Sequence, residues 1–203
     1  MKKLIFYLLI SFYILVVFFI GCGPRAAIRR DYDFSQIKRV GVLKFDSSQV
    51  GLFSNYDPGA MVADEFVYQL LDRGITVVER SQLENILREQ DLGQSGRLDT
   101  STIKKIGRIL GVDALIMGTV TKCVPDRKER FYLKDEQGKL REEIFLIDAE
   151  VGINARMVDT ETGIVIWASS YSYDSFYIDS AIRYTVSALV NTLEDVWPMA
   201  RKK

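Results

Sequence analysis

The chain opens with an apolar run from Leu4 to Ile20, broken only by Ser11, which follows Lys2 and Lys3 and leads into Gly21-Cys22-Gly23-Pro24. Beyond it the pattern shifts to alternating and helical periodicities. Ile37 to Asp46 reads as a first strand, with Val40, Val42 and Leu43 apolar. After a polar stretch, Asp57 and Pro58 supply an N-cap and a first helical residue. Ala63, Phe66, Val67, Leu70 and Leu71 then recur at helical spacing as one buried stripe, ended by Gly74.

Ile75 to Glu79 predicts a short second strand, and Ser81-Gln82-Leu83-Glu84 a capping box that starts a helix with Leu83, Ile86 and Leu87 inward. A third helix begins near Thr100, capped by Asp99 or Thr100, with Ile103, Ile106 and Leu110 inward and Gly111 as its stop. The continuously apolar start of Asp113 to Cys123 marks a central strand covered on both faces. Glu143 to Asp159 and Ile164 to Asp174 predict two long strands joined by Thr160-Glu161-Thr162-Gly163 as an antiparallel hairpin. A last helix runs from Ile178 to Trp197, with Ile182, Val186, Leu189, Val190 and Leu193 inward and Pro198 at its end. The expected class is α/β of the mixed α+β kind: one mixed sheet of about five strands, flanked by about four helices, in a single domain.

The N-terminal segment changes the picture most. A positive start and an apolar run describe an export signal. Phe19-Ile20-Gly21-Cys22 stands where a lipoprotein signal carries its lipobox, with Phe19 departing from the usual Leu. The expected division is a signal peptide over 1–21, a lipidated tether over 22–36, and a periplasmic domain over 37–202. Cys22 is the expected lipidation site, carrying a diacylglyceryl thioether and an acyl (palmitate-type) amide. The tether's thirteen residues from Pro24 to Gln36 reach at most about 45 Å, which holds the domain close to its membrane. Gly23, rather than Asp, after the cysteine points to the outer membrane, with the domain facing the periplasm. The alternative is an uncleaved signal anchor, because the run is just long enough to span a bilayer. In both cases the rest of the chain is exported.

Composition narrows the chemistry. The 203 residues hold 27 basic and 27 acidic side chains; without Lys2 and Lys3 the basic count falls to 25. That slight acidic excess of two gives no nucleic-acid footprint. Histidine is absent, which removes Ser/His/Asp and Cys/His catalysis and His-ligated zinc. Cys123 is the second of only two cysteines and is expected to be a lone buried thiol. No phosphate loop, paired-cysteine metal motif or GxSxG is present. Asp46, Asp64, Asp113 and Asp148 are scattered, and nothing in their spacing brings them together. The expectation is a non-enzyme without catalytic, cofactor or metal site, acting on no evident small-molecule substrate.

Three stretches carry a family resemblance: VGVLKFD from Val40 to Asp46, the run from Ile75 to Val120 containing VVERSQL and VDALIMGTV, and ARMVDTETGIVIWASS from Ala155 to Ser170. They resemble the CsgG family of lipoproteins, related to LpoB, a peptidoglycan-synthase activator, and to the N-terminal domain of TolB. The resemblance implies a CsgG/TolB-N-like fold and a cell-envelope module that works by protein–protein contact, with an envelope partner or its own copies. An LpoB-like activator and a subunit of a curli-type secretion channel are the alternatives. In these motifs Glu79 and Arg80 read as a surface or loop-anchoring ion pair, Gly118 as a place where a neighbouring helix comes close, and Trp167 as a core or edge-packing residue.

Such a channel would need two lipid-facing hairpins. The first would fall between Cys123 and Ile144, yet twelve of the eighteen residues from Asp126 to Glu143 are charged. Each charge at the bilayer midplane costs about 2–4 kcal/mol, so that stretch does not sit in lipid. The 124–143 stretch is expected to be a solvated hairpin arm turning at Asp135 to Gly138, with an arm that docks a partner as the alternative. Only Ser175 to Tyr177 remain for a second hairpin, so no pore is expected.

Overall fold

The computed structural model describes residues 23–48, 57–78, 99–134 and 137–198. Among these are strands β1 (Arg25–Ile28), β2 (Arg39–Val42), β3 (Thr76–Val78), β4 (Ala114–Val124), β5 (Arg127–Lys134), β6 (Leu140–Ile147), β7 (Ala149–Asp159) and β8 (Val165–Ser175). The helices are α1 (Pro58–Asp72), α2 (Thr100–Leu110) and α3 (Ile178–Asn191), with a 3-10 turn over Phe34–Gln36. Six strands form a mixed sheet in the order β1-β8-β7-β4-β2-β3, and β5 and β6 form a separate two-stranded sheet. β2 is parallel to β3 and β4, whereas β4, β7, β8 and β1 pair antiparallel in turn.

The period-two alternation of β4 assigns the two faces. Ala114, Ile116 and Val120 join the larger core with Phe66 and Leu70 of α1 and Val186 and Leu189 of α3. Leu115 and Met117 point the other way, into a smaller cluster with Ile103 and Ile106 of α2. The continuous apolar run is thus a strand covered on both faces over its first half, as expected.

The helix signals act as the sequence indicates. Asp57 accepts the Ala60 N–H at 3.1 Å and Pro58 opens α1. Asp99, not Thr100, caps α2, accepting from the Thr102 N–H at 2.8 Å. Gly111 takes the left-handed conformation at φ 60°, which a side chain would oppose. On α1 the stripe is narrower than expected: Ala63, Phe66 and Leu70 are buried and Val67 packs against the core, but Leu71 is exposed. Gly59, Val62 and Gln69 take the remaining buried positions. Arg73, just after α1, is buried and ties the two helices of the larger face together. Its guanidinium donates to the Gln69 carbonyl at 3.0 Å and to Asn191 Oδ1 at 2.5 Å, and lies 3.4 Å from Glu194.

Several expectations change. The 22–36 segment is not a free tether over its described part: Arg25–Ile28 pairs with β8, and Phe34 is buried in the main core. The apolar Ala26 and Ile28 alternate on the core side, a pattern of four residues too short to stand out beside three arginines. Among the described residues the sheet thus already takes in Arg25, twelve residues before Ile37. The single strand expected over 143–159 is two, β6 and β7, broken at Asp148. Among the described residues the mixed sheet has six strands, close to the five expected, and the separate hairpin adds two more. Three α-helices lie among the described residues, and the helix expected from Ser81, with Glu79 and Arg80 before it, lies outside them. The last helix ends at Asn191, and turns carry the chain on to Trp197. Gly118 makes room for a strand and a ring, not a helix: a methyl there would collide with the Asn154 carbonyl oxygen of β7 and meet the Phe45 ring at 2.7 Å.

Candidate interaction surface

The arm between β4 and β7 is a hairpin of eight cross-strand pairs, from Arg127 opposite Ile147 to Lys134 opposite Leu140. It is the β-hairpin expected over 124–143, extended at its base to Ile147. Asp135 and Glu136 of the expected turn lie outside the described residues, while Gly138 beside them has φ 80°. Every one of the eight pairs sets a charged side chain against an apolar or aromatic one. Near the base β5 carries the charges, Arg127 to Arg130, and β6 the apolar residues, Ile144 to Ile147. Farther out the roles exchange, with Phe131, Tyr132 and Leu133 opposite Glu143, Glu142 and Arg141. The apolar stripe crosses the ribbon diagonally, and Phe131 meets Phe145 edge-to-face at 5.1 Å. Diagonal neighbours in an antiparallel pair are within reach of aromatic side chains.

The charges on each face agree with the reading that this ribbon does not enter hydrocarbon. Tyr132, Leu140, Ile144 and Leu146 are all exposed on it. The first half of each strand masks the second: alternation is absent within either strand and emerges only when the register is known. Among the described residues β5 and β6 pair only with each other, so both outer edges present open backbone groups.

A second surface lies on the sheet face that carries α2. Beyond that helix, Arg25, Met117, Asn154, Arg156 and Ser170 line an open depression of about 780 Å³ that no described element covers. Ser170 donates to Asn154 Oδ1 at 2.5 Å, and Arg156 reaches Met117 Sδ at 3.6 Å. Small Ala27 and Ala168 line it beside the longer side chains of Arg25, Met117 and Arg156.

The remaining candidates take structural places. Asp113 accepts from the Lys38 and Arg39 backbone N–H groups at 2.7 and 2.9 Å, pinning the entry of β2 to the α2–β4 turn. Asp46 accepts from the Ser48 N–H and lies where the chain bridges to Thr119. Among the described residues no group of three His, Cys, Asp or Glu side chains is placed to hold a metal ion. Cys123 is a buried free thiol, and burial raises its pKa above the ordinary value. Trp167 is fully buried and donates to Thr192 at 2.9 Å, the packing role expected of it. Cys22 lies outside the described residues. No helix among the described residues is long and apolar enough to cross a membrane. Phe176 and Tyr177 alone separate β8 from α3.

Comparison with known proteins agrees with this architecture. No curated protein matches the chain in sequence. Among solved structures, the PelC dodecamer from Paraburkholderia phytofirmans has TM-score 0.50 at 12% identity, over 89% of this chain and 98% of that one. Lipoprotein GNA1162 from Neisseria meningitidis has TM-score 0.46 at 17% identity, over 78% of this chain and 97% of that one. The LpoB C-terminal domain from Salmonella enterica has TM-score 0.43 at 14% identity, over 68% of this chain and 84% of that one. Residues 30–128 match the model of the curli production assembly/transport component CsgG, taking in the first two resemblance stretches but not the third, which forms β7 and β8. The CsgG model thus matches a little under half of the chain, and the domain shares its mixed α/β fold with the PelC subunit.

Proposed function

We propose that this is a lipid-anchored cell-envelope protein that works by contact and not by reaction, assembling through the β5–β6 hairpin with further copies of itself. The observation that carries the reading is the hairpin with two open edges of unlike charge. β5 holds Arg127, Lys128, Arg130 and Lys134 against Glu129, whereas β6 holds Glu142 and Glu143 against Arg141. A two-stranded ribbon alone is marginally stable, and a third strand at either edge relieves that. Pairing β5 of one copy with β6 of the next is a heterologous contact, and such contacts close into rings when the rotation allows. The dodecameric state of the PelC neighbour supports the same reading.

The anchor is Cys22, and the domain faces the periplasm from the outer membrane. The short span between Cys22 and the sheet counts against an LpoB-like activator reaching across the wall, because Gly23 and Pro24 alone lie between Cys22 and β1. A secretion-channel subunit is less well supported still, given the charges of the hairpin and the two-residue β8–α3 link. Mass photometry of the detergent-extracted protein tests the proposal. A closed assembly of several copies is expected, and a monomer at micromolar concentration would overturn it. Planar-bilayer conductance from the same sample would overturn the contact-only reading.

A further inference from the structure

Exposed apolar side chains gather at the end of the sheet nearest the proposed anchor. β1 runs antiparallel to β8, with Arg25 opposite Ser170 and Ile28 opposite Trp167. The amino end of β1 therefore points toward the carboxyl end of β8, which closes at Ser175 and is followed by Phe176 and Tyr177. Gly23 and Pro24 alone separate position 22 from β1. Covalent geometry holds residue 22 within about 11 Å of Arg25, the reach of three extended residues.

The hairpin leaves the sheet at this same end. Val124 of β4 stands opposite Glu150, and Ala149 of β7 stands opposite Ser175. Asp126 then accepts from the Ile178 N–H at 3.0 Å, which sets the hairpin base against the start of α3. Phe176 is 70% exposed, Tyr177 66%, Leu146 66% and Ile144 58%. Together with Arg127 and Lys128 they line one groove between the hairpin base and the body.

Clustered exposed apolar groups with a polar rim mark a binding surface. Aromatic rings with a polar tip settle at the headgroup level of a bilayer, and Arg and Lys keep their stems in apolar surroundings with the charge in the headgroups. The hairpin has the same dual character. With a charged and an apolar side chain in every cross-strand pair, neither of its faces suits hydrocarbon, and both suit the boundary between hydrocarbon and water.

We infer that Phe176, Tyr177 and the base of the β5–β6 hairpin rest in the lipid headgroup layer of the membrane that anchors the chain. The inference rests on the anchored reading above and adds an orientation to it. Ile164 and the β7–β8 turn lie at the other end of β8, roughly 40 Å away at about 3.3 Å per residue, and face away from the lipid.

The test uses the full chain, matured in cells and reconstituted in phosphatidylcholine–phosphatidylglycerol vesicles containing lipids brominated along the acyl chain. F176W places a reporter on the proposed surface, Y177W repeats it if the first variant folds poorly, and I164W reports from the far end. The native Trp167 and Trp197 are fully buried and give a constant background. Emission from F176W or Y177W is expected to be quenched several-fold more strongly than that from I164W. Equal quenching at the two ends in vesicles that carry the protein through flotation would overturn the orientation and leave the anchor standing. Failure of the full chain to float with vesicles would overturn both.

Discussion

The Tyr32 hydroxyl donates to the Asp159 carboxylate at 2.6 Å across 127 residues of sequence. It joins the segment before β2 to the turn between β7 and β8, where Asp159 also accepts from the Thr162 N–H and hydroxyl at 2.7 and 2.6 Å. Burial works to raise the pKa of Asp159, but the bonds from Thr162 and Tyr32 outweigh it and hold the carboxyl below its ordinary range. For Tyr32, burial and then the Asp159 bond push the phenol well above its usual value.

Tyr32→Phe is expected to cost about 1–2 kcal/mol, the worth of a hydrogen bond to a charged group that is part-buried. The lowered carboxyl contributes stability above the unfolded-state value of about 3.9, and that contribution fades as pH falls through the folded value. The gap between wild type and variant should therefore be full at neutral pH and shrink in acid. The raised phenol contributes below its unfolded value of about 10 and loses that contribution as pH climbs past it, so the alkaline limb should flatten in the variant. Urea unfolding across a pH series measures both limbs. A gap that stays constant into strong acid would count against the assignment.

Arg73→Met should destabilise by about 2–3 kcal/mol, since it strips partners from Gln69 and Asn191 at the junction of α1 and α3. Thermal unfolding checks it. A change under a few tenths of a kcal/mol would show that the helices are held by their apolar contacts alone.

Gly118→Ala should cost about 1–3 kcal/mol, because the added methyl meets the β7 backbone and the Phe45 ring on a central strand that has no freedom to retreat. Chemical denaturation gives the value, and a neutral substitution would mean that the sheet can open there.

The fold was legible wherever one element carries its own pattern. Asp57-Pro58, Asp99 and Gly111 mark helix ends through local hydrogen bonding and φ, and the apolar start of β4 marks a strand covered on both faces. β1 was not legible, because an edge strand of four residues is recognised by its partner and not by its own sequence. The hairpin was legible as an arm but not as a surface: Phe131 and Phe145 become neighbours only through the register. The break at Asp148 has no turn residue beside it to announce it.

Replacing residues 127–147 by a short turn should leave the melting temperature of the body within a few degrees, since β5 and β6 pair with nothing else among the described residues. The same deletion should reduce the assembly to monomers by mass photometry. Loss of folding in the deletion variant, read by circular dichroism, would show that the hairpin is part of the core and not an appendage.

Cys22→Ser separates the two readings of the N-terminus. A lipoprotein variant should keep its first 21 residues and lose acyl mass by intact-mass spectrometry, whereas the wild type should begin at the modified cysteine. A wild type with an intact Met1 and an unmodified thiol would establish the signal anchor instead.

The pairing of β1 with β8 also sets a timetable. Arg25 and Ser170 touch, yet everything between them must be made before they can. The first strand of the domain to emerge waits, unpaired, for nearly the last, and closing so long a loop is among the slower events in folding. Through that interval the nascent domain carries an open sheet edge next to its own greasy leader, the period in which a holding chaperone matters most.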